Sequence, residues 1–191
     1  MILHSISTDN SSLANKIELR KRSTQNLEEI RVLDLYAGHN TLWSRFDKDK
    51  YFGVEIERGK GQNLTADNKR IIENLDLSEF NVIDCDSYGI PFDLLVKVFS
   101  NKTLQDGTVI IYTAITNSLS GLNIECLKMF GVQKIYKKCH HLIAAKALDM
   151  FYGMLYNYGV GQVYYYQVTG NFLKHYGYFT VHIKSERYGD T

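Results

Sequence analysis

The chain has 191 residues, of which 45% are hydrophobic and 23% charged, and its formal net charge is +1. This length is typical of one domain, and no apolar run approaches the roughly 20 residues that a membrane-spanning helix needs. We therefore expect a cytoplasmic protein with no membrane partner. A charge this close to zero excludes a global positive field, so any binding of nucleic acid must be local.

Residues 1–12 are polar, and Asn10, Ser11 and Ser12 offer a helix start. Within residues 1–30 we therefore expect a loose tail followed by a charged helix that ends before Arg31. Short apolar runs then alternate with longer amphipathic stretches. Continuous apolar character is typical of strands buried on both faces, and the intervening segments suit crossover helices. The predicted strands are Arg31–Tyr36, Tyr51–Ile56, Phe80–Cys85 and Thr108–Thr113.

The last third of the chain predicts a long helix and two more strands. Apolar residues at helical spacing predict one amphipathic helix over His141–Tyr158. Two segments rich in tyrosine and valine, Gln162–Thr169 and Tyr178–Lys184, predict an antiparallel pair that closes the sheet. The sequence thus predicts a Rossmann-like α/β fold, with a mostly parallel sheet flanked by helices and an antiparallel C-terminal strand pair.

The three cysteines, Cys85, Cys126 and Cys139, are widely spaced and odd in number, so we expect no disulfide framework. Two histidines follow Cys139, but no second closely spaced ligand pair accompanies them, and we expect no metal site. The best basic clusters are Lys16–Arg22 and Lys134–His141. We interpret each as a solvated face rather than a phosphate site.

The sequence VLDLYAG at residues 32–38, followed by YFGVE at 51–55, is typical of an adenosine pocket at the ends of two neighbouring strands. The loop at 38–43 has one glycine, whereas a pyrophosphate cradle normally needs three. S-adenosylmethionine has no phosphate, so we expect it as the cofactor.

Three acids are predicted to hold this cofactor. Asp34 would face its amino acid end, Glu55 would accept hydrogen bonds from the ribose hydroxyls, and Asp67 would accept one from the adenine amino group. The other predicted cofactor-binding residues are Tyr36, Gly38, Asn68 and Asp84. The alternative interpretation is that these are ordinary strand-end residues of an α/β domain.

The sequence DCDSYGIPF at residues 84–92 follows the predicted fourth strand. An exocyclic amine conjugated to a base is a poor nucleophile, and acceptors on its hydrogens restore electron density to nitrogen. Asp86 is the candidate acceptor and a candidate proton sink, the Ser87 carbonyl is a second acceptor, and Tyr88 could stack on the base. With Gly89 these residues form the predicted catalytic element. The same four residues are also a good turn sequence.

Residues 82–92 resemble the Asp-Pro-Phe/Tyr-Gly-Ser-Pro element of the tRNA guanine-N2 dimethyltransferases. Further similarities follow in the same order at 104–108, 113–117, 119–121 and 139–141. The resemblance implies a class I methyltransferase fold over residues 31–191, S-adenosylmethionine as donor, and a guanine N2 amine in tRNA as acceptor.

Two residues depart from the family pattern: Ser87 replaces a proline, and Asn117 replaces an acid. They leave open a degenerate subunit that binds cofactor or a protein partner without transferring a methyl group. A DNA amino-methyltransferase, a small-molecule methyltransferase and a homo-oligomer also stay open.

Overall fold

The computed structural model of the protein describes residues 13–39, 42–60, 62–87, 89–115, 124–167 and 174–182. A seven-stranded sheet in the order β3-β2-β1-β4-β5-β7-β6 forms its centre. Strands β1 to β5 are parallel, and β7 runs antiparallel to both β5 and β6. The strands are β1 (Arg31–Asp34), β2 (Lys50–Glu55), β3 (Leu64–Thr65), β4 (Val82–Cys85), β5 (Val109–Ile115), β6 (Tyr164–Gln167) and β7 (Lys174–Thr180).

This architecture confirms the predicted α/β fold with its antiparallel C-terminal pair. Each of the four predicted parallel strands is present, with ends shifted by at most two residues. The predicted last strand differs more, because β7 begins at Lys174, four residues before Tyr178, and ends at Thr180. Its earlier start lets β7 pair with β5 along the full length from Val109 to Ile115.

Two hydrophobic clusters cover the two faces of the sheet. Because side chains alternate along a strand, Leu33 and Ile83 belong to the larger cluster, whereas their neighbours Val32 and Val82 belong to the smaller one. The helices are α1 (Leu13–Thr24), α2 (Asn68–Ile71), α3 (Phe92–Ser100), α4 (Ile124–Met129), α5 (Gln133–Lys138), α6 (His140–Ala144) and α7 (Ala147–Asn157). Helices α3 and α7 bury their apolar sides in the larger cluster.

The smaller cluster is covered by α1, which confirms the predicted N-terminal helix. The prediction of a crossover helix between β1 and β2 is wrong, because the described residues of this connection, 35–39 and 42–49, hold one short 3-10 turn, Trp43–Arg45, and no α-helix. Leu19 of α1 and the fully buried Trp43 pack together in the smaller cluster and fill the space of that helix. The β1 face of the sheet is therefore closed by the N-terminal segment.

The prediction of one helix over His141–Tyr158 is also wrong, because α6 ends at Ala144 and α7 begins at Ala147. The Lys146 amide donates to the Ile143 carbonyl at 2.9 Å, which tightens the last turn of α6 and ends the α-helical pattern. The break lets Ala147 and Phe151 face the core. Within the described ranges, no helix is long and apolar enough to cross a membrane.

Candidate functional site

The carboxyl ends of β1 to β4 meet at one edge of the sheet, where backbone hydrogen bonds continue beyond the strands. The Leu35 amide donates to the Asp84 carbonyl at 3.0 Å, and the Ala37 amide donates to the Val54 carbonyl at 3.1 Å. Open α/β sheets bind ligands outside this edge. The edge therefore brings together the predicted site residues of all four strand ends.

Gly38 and Glu55 are in direct contact at this edge. Gly38 has a positive φ of 50°, which favours glycine, and its amide donates to Glu55 Oε2 at 3.0 Å. The other oxygen of Glu55 accepts from the Ile56 amide at 2.8 Å. The Glu57 amide donates to that same oxygen at 3.4 Å. A carboxylate oxygen has two lone pairs, so Oε2 retains one for a ribose hydroxyl.

Asn68 and Asp67 lie beside the end of β1. Asn68 Nδ2 donates to the Leu35 carbonyl at 2.8 Å, and its side chain also hydrogen-bonds Tyr36, whose phenol has its pKa raised mainly by burial. Asp67 caps α2 by accepting from the Lys69 amide at 2.9 Å. Asn68 therefore holds the chain in place after β1, whereas Asp67 lies half-buried at the carboxyl edge of the sheet.

Three carboxylates lie at the carboxyl ends of β1 and β4, on the face that α1 covers. Asp34 and Asp84 are opposite each other in the register of the two strands, and Asp86 lies two residues after Asp84, on the same side of the chain. Asp84 is fully buried and Asp34 is 5% exposed. Carboxylates in such surroundings need partners, since an unpaired buried charge is costly.

Arg20 of α1 supplies the partner of Asp84. Its guanidinium lies 2.5 Å from Asp84 Oδ2, and the side chain is 1% exposed. Trp43 Nε1 donates to the same oxygen at 2.7 Å, and the guanidinium lies over the Trp43 ring, 5.7 Å from its centroid. The expectation of a solvated face over Lys16–Arg22 is therefore wrong at Arg20.

Asp86 is held by three donors. Lys16 Nζ lies 2.7 Å from Asp86 Oδ2, and Arg20 lies 3.5 Å from the same atom. Thr113 Oγ1, on β5, donates to Asp86 Oδ1 at 2.6 Å. Burial alone would raise the pKa of Asp86, but the charges of Lys16 and Arg20 outweigh it and hold that pKa below its ordinary value.

Asp34 differs, because burial and the nearby charge of Asp84 raise its pKa to about 8. It accepts from the Tyr36 amide at 3.1 Å and from Tyr51 Oη at 3.1 Å. Burial also raises the pKa of Asp84, and the charge of Arg20 beside it opposes that rise. With Asp34 protonated at neutral pH, Asp84 and Asp86 are the two carboxylates that face the two cations, Arg20 and Lys16. We call these five residues the acid–base cluster.

The acid–base cluster is not fully satisfied within the described part of the chain. Asp84 Oδ1 and Arg20 Nε are buried without a hydrogen-bond partner there. Leaving a buried polar atom unpaired costs about 1–3 kcal/mol. If the cluster served only to stabilise the fold, these two unpaired atoms would make it a costly arrangement.

The remaining predicted catalytic residues lie directly after Asp86. Ser87 is 4% exposed, and its hydroxyl lies 3.3 Å from the Thr113 carbonyl, to which it donates. Gly89 has a positive φ of 95°, which favours glycine. Tyr88 lies outside the described residues, as do Asn117, residues 119–121 and residues 40–41 of the loop after Gly38.

Sequence reasoning missed Arg20, Lys16, Trp43 and Thr113 as site residues. A signal for the first two was present, because positions 16 and 20 share one helix face and positions 84 and 86 share one strand face. Two basic residues at helical spacing and two acids at strand spacing are complementary. Nothing in the local sequence pairs these distant segments.

A cavity of about 800 Å³ lies at the opposite, amino edge of the sheet. None of the predicted site residues lines it; its walls include Phe99, Asn101, Tyr158 and His182. We place the candidate site at the carboxyl edge because four buried titratable groups with perturbed pKa values gather there: Arg20, Asp34, Asp84 and Asp86.

Within the described ranges, no three His, Cys, Asp or Glu side chains are placed to hold a metal ion. Cys85 and Cys139 carry free thiols, and the side chain of Cys126 lies outside the described part. Burial raises the pKa of the Cys85 thiol well above its ordinary value, so it is poorly suited to act as a nucleophile.

No protein-family model matches this chain, and no curated protein does. Among solved structures, the chain is similar to a possible exported protein from Bordetella parapertussis, with a TM-score of 0.52 and 9% identity over 89% of this chain and 68% of that one. A second similar structure is EvdMO1, with a TM-score of 0.47 and 11% identity over 87% of this chain and 40% of that one. At such identities the first likeness indicates a shared fold and no more.

Proposed function

We propose that the protein is a cytoplasmic S-adenosylmethionine-dependent N-methyltransferase that acts on an exocyclic base amine, with guanine N2 in RNA as the first-choice acceptor. The observation that carries the proposal is the placement of Gly38, Glu55 and Asp86 at neighbouring strand ends along one edge. The strand order supports it, because the reversed strand β7 lies between β5 and β6, an arrangement typical of the class I methyltransferase fold.

The donor end fits a cofactor without phosphate groups. Gly38 supplies one backbone amide beside β1, and Glu55 is fixed by amides at both of its oxygens. Asp67 has a side chain that is 42% exposed, so it can still accept from an adenine amino group. The cofactor would supply an electrophilic methyl group on a sulfonium sulfur.

The acceptor end is built around the Asp86 carboxylate. Its lowered pKa keeps it ionised at neutral pH, and Oδ1 has a lone pair left beside the Thr113 hydrogen bond. An amine hydrogen donated to that lone pair would raise the electron density on nitrogen. A carboxylate with a low pKa is a weak base, so this geometry favours Asp86 as a hydrogen-bond acceptor over Asp86 as the proton sink. Methyl transfer would form the C–N bond as the sulfonium C–S bond breaks, leaving S-adenosylhomocysteine, and the proton lost by the nitrogen would pass to water.

The test is transfer to bulk RNA, followed by digestion and mass spectrometry of the methylated nucleosides. Asp86→Ala removes the acceptor altogether and should lower the transfer rate about 100-fold or more, as loss of one preorganised hydrogen-bonding group commonly does, while cofactor binding is retained. Asp47→Ala, at an exposed position, is the matched control and should keep its rate. Equal loss of transfer and cofactor binding in Asp86→Ala would contradict the proposed role.

One contact favours the alternative of a subunit that binds cofactor or a protein partner without transfer. Lys16 Nζ lies 2.7 Å from Asp86 and covers one of its oxygens. In that case neither RNA nor DNA acquires a methylated nucleoside, and Lys16→Ala does not restore transfer. Methylation of DNA alone would instead assign the chain to the DNA amino-methyltransferases.

A further inference from the structure

Helices α5 and α6 present a strongly basic surface. Its exposed residues are Lys134, Lys137, Lys138, His140 and His141, which we call the basic surface. The sequence holds no Asp or Glu between Glu125 and Asp149. Since the whole chain has a net charge of +1, this local excess is balanced by acids elsewhere.

The basic surface is held rigidly by side chains that point the other way. Val132, Tyr136 and Ile143 pack against the larger hydrophobic cluster. The ring of Tyr136 also contacts His140 edge-on, with 6.4 Å between the centroids. Helices anchored in this manner keep their lysines directed to solvent, which lowers the entropy cost of binding a partner.

The chain path places this surface at the carboxyl edge of the sheet. The chain leaves β5 at the carboxyl edge and later enters α7, so helices α4 to α6 belong to the connection between β5 and α7. At the end of α4, Phe130 packs edge-on against Phe92, with centroids 6.1 Å apart. Phe92 begins α3, six residues after Asp86. The basic surface and the acceptor carboxylate thus flank the same edge.

The exposure of these residues agrees with the solvated face expected from the sequence, but their anchoring and their position favour a binding role. We propose that the basic surface binds the phosphate backbone of an RNA strand whose base is presented to Asp86. The proposal rests on the proposed function, because it deepens the identity of the acceptor. Lysines without acidic neighbours in the sequence suit a polyanion. Ile135 and Leu142 are 52% and 64% exposed beside them and offer apolar contacts to unstacked bases. Binding of this kind is local, so the near-neutral charge of the chain does not oppose it.

The experiment measures binding of a fluorescein-labelled hairpin RNA by anisotropy, between 50 and 200 mM salt. The variant is Lys134→Gln/Lys137→Gln/Lys138→Gln. The matched control, Lys50→Gln/Lys97→Gln/Lys102→Gln, also removes three positive charges, but from lysines outside the basic surface. Two of them, Lys50 and Lys97, pair with Glu79 and Glu73. For single-stranded RNA, losing three phosphate contacts should make the slope of log K against log salt shallower by about 2.

Affinity of the basic-surface variant should also fall at least tenfold at 50 mM salt, with the control unchanged. Equal slopes for the two triple variants would overturn the proposal. The proposal would also be overturned if the protein bound phosphatidylserine vesicles but not RNA, and if the basic-surface variant lost that vesicle binding. Titration of the wild-type protein with S-adenosylmethionine separates the two claims. If the wild type does not bind this cofactor, but the salt slope of RNA binding still differs between the two triple variants, the proposed function is refuted and the RNA-binding surface is retained.

Discussion

Replacing Arg20 by methionine is the sharpest perturbation of the acid–base cluster. The substitution keeps much of the side-chain volume over Trp43 but removes the charge that lies 2.5 Å from Asp84 Oδ2. It also removes the hydrogen bond that Arg20 donates to the Lys16 carbonyl at 3.0 Å. Asp84 is then left fully buried, with Trp43 as its remaining side-chain donor.

The expected cost is large, because removing one partner of a buried ion pair typically costs about 3–5 kcal/mol. Against a total stability of about 5–15 kcal/mol, such a loss is measurable by urea unfolding. With a slope of about 2 kcal/mol per molar urea, the midpoint should fall by about 2 M. The slope itself should not change.

Arg22→Met is the matched control, since Arg22 forms an exposed pair with Glu18 one turn away at 2.8 Å. An exposed pair of this kind contributes about 0–1 kcal/mol. The double variant Arg20→Met/Asp84→Asn should recover part of the loss, because the buried charge disappears with its partner. Strict additivity of the two substitutions, or a cost for Arg20→Met no larger than for Arg22→Met, would refute the reasoning.

Three further outcomes follow from the structure. Asp34 has its pKa raised to about 8, above the unfolded value of about 3.9, so the folded state binds its proton more tightly and stability falls as the pH rises between these values, by about 1.4 kcal/mol per pH unit. Asp34→Asn should lack this decrease in unfolding experiments from pH 5 to 7.5, and parallel profiles would contradict the assignment. In thermal unfolding, Gly53→Ala should cost about 1–3 kcal/mol of stability, because its Cβ would lie 2.7 Å from Tyr51 Oη and 2.9 Å from Ala37 Cβ. Gly153→Ala is the control: its Cβ would have nothing within 4 Å, so the substitution should be neutral or stabilising. Lys16→Met should shift the acidic limb of the transfer rate to higher pH, since the charge of Lys16 holds down the pKa of Asp86; an unmoved limb would show that this carboxyl does not control the rate.

The sheet was predictable because its strands are short apolar runs buried on both faces. Leu33 and Val32, for example, point to opposite faces and are both fully buried, so the run shows no alternation and indicates a central parallel strand. The acids at its end were predictable for a related reason, because parallel strands bring their carboxyl ends to one edge. Asp34, Glu55 and Asp86 reach that edge as expected.

What covers the face of the sheet was not predictable. The connection between β1 and β2 has a helix-sized gap in sequence, yet the indole of Trp43 fills part of that space and α1 fills the rest. Whether α1 and Trp43 take the place of a crossover helix depends on tertiary contacts between α1 and strands that follow much later in the chain. The break between α6 and α7 was missed because the apolar spacing continues through Ala145 and Lys146, and periodicity alone does not report a tightened turn.

Calorimetric titration with S-adenosylmethionine, repeated with S-adenosylhomocysteine, tests the central claim most directly. Glu55→Ala is the test variant, and Glu57→Ala, which removes a side chain that is 60% exposed, is its control. Saturable binding by the wild type and by Glu57→Ala, weakened at least tenfold in Glu55→Ala, is the predicted result. No binding by the wild type, or equal binding by all three proteins, would contradict a cofactor pocket at Gly38 and Glu55.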